Sequence, residues 1–66
     1  MHKQTYKYTF QVGDLVEILT SELKGRIGLV VDLSTELPEN HILHFYDILV
    51  DGQVLDLFSS QDLKKV

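Results

Sequence analysis

Two histidines, His41 and His44, flank Ile42-Leu43. A His-x-x-His spacing can ligate a metal when both rings leave one helical turn, with Glu36, Glu39 or Asp47 available as a third donor from a loop. In an extended strand the same two rings point to opposite faces, because side chains alternate. His41 ends a loop and His44 falls in a strand, so both are expected to be ordinary surface histidines, and no metal or cofactor is expected.

Nucleophilic and acid/base chemistry are equally poorly provided for. Ser59-Ser60-Gln61-Asp62 is a capping pattern, in which a side-chain oxygen satisfies a nearby amide, and not a nucleophile elbow. The carboxylates fall at strand ends and turns, where solvent keeps their pKa values from separating into an acid and a base. A barrel of this size is filled by its own side chains. The expectation is a non-enzyme without catalytic residues.

Residues suited to contact are more evident. Tyr6, Tyr8 and Phe10, interleaved with Lys7, suit base stacking or a partner surface, and equally suit covering one end of a barrel. Phe45 and Tyr46 are adjacent, so in a regular strand one of them faces outward. Lys24 and Arg26 can meet phosphate, although two such contacts give only weak, salt-sensitive binding. Tyr6, Tyr8, Lys24, Arg26, Phe45 and Tyr46 are therefore the candidate partner-binding residues. Asp47, Asp51, Asp56 and Asp62 either mimic a nucleic-acid backbone toward a basic partner or keep edge strands soluble.

These residues must be positioned by a small scaffold. The chain has 66 residues, 44% of them hydrophobic and 24% charged, which suits one compact domain near the lower size for independent folding. Cysteine is absent, so neither disulfides nor thiolate metal sites contribute, as fits a reducing compartment. No apolar run is long enough to cross a membrane, and the first ten residues lack the apolar centre of a signal peptide. A cytoplasmic location is expected.

Six Lys/Arg stand against ten Asp/Glu, a formal net charge of −4. That balance disfavours nucleic acid, whose binding is dominated by phosphate neutralisation, and favours a protein partner. Lys3, Lys7, Lys64 and Lys65 lie at the two ends, so a local basic patch forms if the termini meet near the turn that carries Lys24 and Arg26.

The elements follow from alternation and turn chemistry. Thr5 to Phe10 reads as a short leading strand, so residues 1–11 are a leading strand or arm. Val12-Gly13-Asp14 is a turn, and Leu15 to Thr20 is a strand with Val16 and Ile18 inward. Arg26 to Leu33 is the central strand, with Ile27, Leu29 and Val31 on one face and Gly28, Val30 and Asp32 on the other. Gly28 in mid-strand marks a bulge, a bend or close backbone approach. Ser34 to His41, with the only proline, reads as a surface loop. Ile42 to Val50 and Gln53 to Phe58 form a hairpin around Asp51-Gly52, a type I′ signal. Ser59 to Asp62 is a single 3₁₀ turn, Leu63 plugs the core, and Lys64 to Val66 is a last short strand. The expected fold is all-β: a small five-stranded SH3-like barrel with one 3₁₀ turn before its last strand.

Val16-Glu17-Ile18-Leu19-Thr20-Ser21-Glu22-Leu23-Lys24-Gly25-Arg26-Ile27-Gly28-Leu29-Val30, preceded by Gly13-Asp14, resembles the KOW motif. The resemblance implies an SH3-like barrel whose turn over residues 21–28 contacts RNA, the ribosome or RNA polymerase. The family's central glycine is Ser21 here, and KOW nucleic-acid binders are commonly basic. The second half, YDILVDGQVLDLFSSQDLKKV, resembles short SH3-like proteins of tailed bacteriophages, most of which have no assigned role. The fold pattern, the acidic balance and the absence of catalytic chemistry, beside these resemblances, point to a non-catalytic interaction module, a small phage-encoded protein docking on a larger protein assembly, with a KOW-type factor as the alternative. Self-association through exposed strand edges or the aromatic N-terminus is a third possibility.

Overall fold

The computed structural model describes residues 8–36 and 43–66. Its strands are β1 (Leu15–Ile18), β2 (Ile27–Glu36), β3 (Leu43–Val50), β4 (Gln53–Ser59) and β5 (Leu63–Lys65), with a 3₁₀ turn at Ser60–Asp62 before the last. All pairings are antiparallel, in one sheet ordered β4-β3-β2-β1-β5. This is the all-β, five-stranded SH3-like arrangement expected from the sequence. The long β2 is shared by the β1/β5 side and the β3/β4 side, and the 3₁₀ turn packs against both β3 and β5.

One apolar core lies on the inner face. Val16, Ile18, Val30, Tyr46 and Ile48 are fully buried, and Phe10, Val50 and Leu63 nearly so. Val16 and Ile18 point inward from β1 by simple alternation. Leu63 plugs the core from β5, opposite Ile18 in the ladder. Gly28 is buried in β2, where a β-carbon would collide with Ile48 Cγ2 and sit 3.1 Å from the Leu49 carbonyl oxygen. The glycine lets β2 and β3 approach closely, as its mid-strand position implied.

Two bulges bend this sheet at the same level. Val30 opposes Ile48 and Asp32 opposes Asp47, leaving Val31 as the extra residue of β2. Tyr46 opposes Phe58 and Ile48 opposes Leu55, leaving one extra residue in the Asp56-Leu57 pair of β4. Each bulge kinks its strand and increases the local twist, which coils a flat ladder toward a barrel. The bulge at Val31 also reverses the alternation of β2. Asp32 therefore leaves the face of Gly28 and Val30, and Leu33 turns in to pack on the core in its place.

The turns obey their chemistry. Asp51 and Gly52 both have positive φ (52° and 80°), as a two-residue type I′ hairpin requires. Ser21, where the KOW motif has glycine, has φ 67°, so it occupies the left-handed region that glycine adopts without cost. Its hydroxyl accepts a hydrogen bond from the Leu23 amide at 3.2 Å. At the 3₁₀ turn the Asp62 carboxylate accepts from both the amide and the hydroxyl of Ser59, each at 3.0 Å.

Two further expectations are revised. Residues 34–36 belong to β2, paired with Phe45, His44 and Leu43, so the expected loop is strand over its first three positions. Ser-Thr alternation continues the ladder where polarity alone suggested a loop; residues 37–41 lie outside the described residues, as does the Ile42 start expected for β3. Of the leading strand expected over Thr5–Phe10, residues 5–7 lie outside the described residues, and residues 8–10 form a bend and not a strand.

Candidate interaction face

The outer face of the sheet carries an apolar row. In the ladders Leu15 opposes Leu29, Leu29 opposes Leu49, and Leu49 opposes Val54. Val66 extends the row beyond β5, its amide donating to the Leu15 carbonyl at 3.0 Å. Four aligned positions on β1 to β4 and one at the end of β5 thus span the sheet, about 19 Å across at ordinary strand spacing. Leu15, Val54 and Val66 are 51%, 58% and 70% exposed, and Leu29 and Leu49 are half-buried between their neighbours. Exposed apolar residues are common singly, whereas a contiguous row rimmed by charge marks a contact surface.

Charge borders the row on both sides. Toward the β1–β2 turn, Glu17 opposes Lys64 and Ile27, and Arg26 forms an ion pair with Asp51 at 2.5 Å. Lys65 is paired with the buried Val16 and so leaves β5 on the opposite face, 3.7 Å from Asp14. On this border Arg26 is paired with Asp51, and Lys64 stands opposite Glu17. Across the row, at the level of the bulges, Asp32 opposes Asp47, and the β4 bulge places Asp56 and Leu57 opposite Asp47. Among the described residues no ion pair engages Asp32, Asp47 or Asp56. Asp32 does accept a hydrogen bond from the Leu33 amide at 2.9 Å. One border is neutralised and the other is acidic.

The five described residues of the six singled out by sequence divide between core, barrel end, outer face and turn. Tyr46 is fully buried. Its hydroxyl accepts from the Thr9 amide at 2.9 Å and the Phe10 amide at 3.4 Å, tying the segment before β1 to β3. Phe10 meets the Tyr46 ring edge to face at 5.3 Å, and Tyr8 stacks on His44 at 4.3 Å. The Tyr8 hydroxyl contacts the Thr35 hydroxyl. Tyr8 and Phe10 thus cover the barrel end, the packing alternative of their earlier reading. Phe45 is the outward member of its pair, half-buried between Ser34 and Ser59 in the ladder.

Lys24 and Arg26 are exposed in the β1–β2 connection, which closes through the Gly25 amide on the Ile18 carbonyl at 2.7 Å. Arg26 is committed to Asp51 on the β3–β4 turn. Tyr6 lies outside the described residues, as do His41, Lys3 and Lys7. The described members of the expected basic patch are Lys24, Arg26, Lys64 and Lys65; Glu17 and Asp51 stand among the first three, and Lys65 leaves β5 on the opposite face beside Asp14.

Reading residues one at a time missed the apolar row. The signal was available: a two-residue turn at Asp51-Gly52 fixes Leu49 opposite Val54, and β2 was already apolar on both faces at Ile27 to Val31. No group of three or more metal-ligating side chains occurs among the described residues, and no described helix is long and apolar enough to cross a membrane. Comparison with protein-family models, with curated proteins and with solved structures found no match for this chain.

Proposed function

We propose that this protein is a non-catalytic interaction module that docks on a larger protein assembly through the outer face of its sheet. The observation that carries this reading is the apolar row Leu15, Leu29, Leu49 and Val54, aligned across four strands. Burial of such a row on a partner is favourable at about 25 cal/mol per Å² of apolar surface removed from water. The inner face is consumed by the core, so the outer face is where the sheet has apolar surface left to offer.

Sheet edges are poorly suited to the same task. β5 is three residues long and carries Lys64 and Lys65, and β4 is interrupted by its bulge. Short, charged or bulged edges discourage strand addition. The connection bearing Lys24 and Arg26 is an equally poor phosphate site, because Arg26 already holds Asp51.

Affinity capture of the tagged protein from a lysate of the cells that make it, with and without nuclease, tests this reading. Nuclease-resistant recovery of capsid, tail or other assembly proteins is the expected result. Ribosomal or polymerase subunits lost on nuclease treatment would instead establish the KOW-type alternative.

A further inference from the structure

We infer that the partner of this face is a different protein presenting a lysine or arginine between apolar side chains, so that the apolar groups meet the Leu15–Val54 row and the cation meets the Asp32–Asp47 pair. This inference rests on the docking reading and adds the chemistry of the occupant. Its basis is the asymmetry of charge around the row. Toward the β1–β2 turn Arg26 is in an ion pair with Asp51, and Lys64 faces Glu17. The charge left uncompensated on the face is that of Asp32, Asp47 and Asp56.

Geometry makes a cation the matching group. Asp32 and Asp47 are direct partners on neighbouring strands, so their Cα atoms lie about 4.5–5.5 Å apart and both carboxylates project from one side. Like charges so placed repel, and a cation set between them removes that repulsion. The pair lies next to the apolar row at Leu49, with Phe45 beyond it on the same face of β3. Apolar, acidic and aromatic positions therefore succeed one another along β3 at about 6.8 Å intervals, two residues of extended chain. A partner with apolar, basic and apolar groups at that spacing meets all three.

A second copy of this chain fits less well. Its matching face would bring either acid onto acid or the acidic border onto Arg26, already held by Asp51, and Lys64, which faces Glu17. Phosphate is excluded by the same sign of charge. Leu57 adds an independent sign that the region is a contact surface: at φ 66° and 61% exposed, it places a large apolar side chain in solvent from a backbone conformation that disfavours it.

The test is selection of a random dodecapeptide display library on the intact protein, with Asp32→Asn/Asp47→Asn and Leu15→Thr/Val54→Thr as comparison baits, each first checked for folding by circular dichroism. Enriched peptides should carry Lys or Arg flanked by apolar residues. They should lose about tenfold or more in affinity on each variant and weaken further as salt is raised. Apolar peptides without a cation that still depend on Leu15 and Val54 would overturn the assigned chemistry and leave the docking module standing. No enrichment, or enrichment indifferent to both variants, would overturn both. A dimer in sedimentation that Leu15→Thr/Val54→Thr dissociates would make a second copy the occupant, and the inference would fall.

Discussion

Asp32 and Asp47 face each other across β2 and β3 directly after the bulge at Val31, on the outward side of the sheet. Regular alternation would have put Asp32 on the inner face with Val30. The bulge turns it outward and brings Leu33 to the core instead. The same local irregularity thus bends the sheet and builds the acidic border of the proposed docking face.

Replacing one member of this pair separates folding from binding. Asp47→Asn is expected to stabilise the free protein by about 0.5 kcal/mol through relief of cross-strand repulsion, raising Tm by about 3 °C in a domain this small. The same variant should bind its partner less well. Thermal unfolding by circular dichroism reads the first effect, and a loss of Tm would contradict it.

Close approach at Gly28 has the opposite consequence. Gly28→Ala sets a methyl group against Ile48 and the Leu49 carbonyl, so the β2–β3 ladder must open. Overpacking of this kind costs about 1–3 kcal/mol. Urea denaturation should show a clearly lower midpoint with an unchanged slope; a wild-type midpoint would mean that the strands are not so close.

Tyr46 was singled out as a contact residue and is a structural one. Tyr46→Phe leaves the ring packing intact and removes the acceptor of the Thr9 and Phe10 amides. A loss of about 1 kcal/mol is expected, with faster amide exchange at residues 9 and 10 and unaltered capture of the partner. Hydrogen exchange followed by NMR distinguishes this from a general loss of stability, because only the segment preceding β1 should respond at low denaturant.

Backbone strain at Leu57 can be relieved without touching the core. Leu57→Asn supplies a residue that tolerates the left-handed region, and the leucine is exposed, so little burial is lost. Stability should rise by about 0.5–1 kcal/mol. Unchanged or lower stability in chemical denaturation would show that the leucine contributes packing of its own.

Much of this fold was legible because local rules and tertiary needs agree. Val16 and Ile18 alternate into the core, Asp51-Gly52 demands a type I′ hairpin, and a glycine inside β2 announces a close approach. What escaped are the bulges. A bulge adds one residue to one strand, and nothing in Val31 or in Asp56-Leu57 distinguishes it from a regular strand position. Every face assignment beyond it then slips by one, as at Asp32. Polarity misled at residues 34–36, where Ser and Thr suit an exposed strand as well as a loop. The candidate face was legible only in pairs: Leu15, Leu29, Leu49 and Val54 are unremarkable singly and form a row only once the register of three ladders is known. Tyr46 illustrates the converse, since an aromatic residue with a hydroxyl serves a core that has amides to satisfy.

The most direct test compares capture by the wild-type protein with capture by Leu15→Thr/Val54→Thr, in nuclease-treated lysate, both proteins being folded by circular dichroism. Threonine keeps β propensity at both positions and removes most of their apolar surface. Nuclease-resistant partners held by the wild type and lost from the variant are the predicted result. Partners retained by the variant and lost on Lys24→Gln/Arg26→Gln would place docking at the β1–β2 turn and contradict the outer-face account.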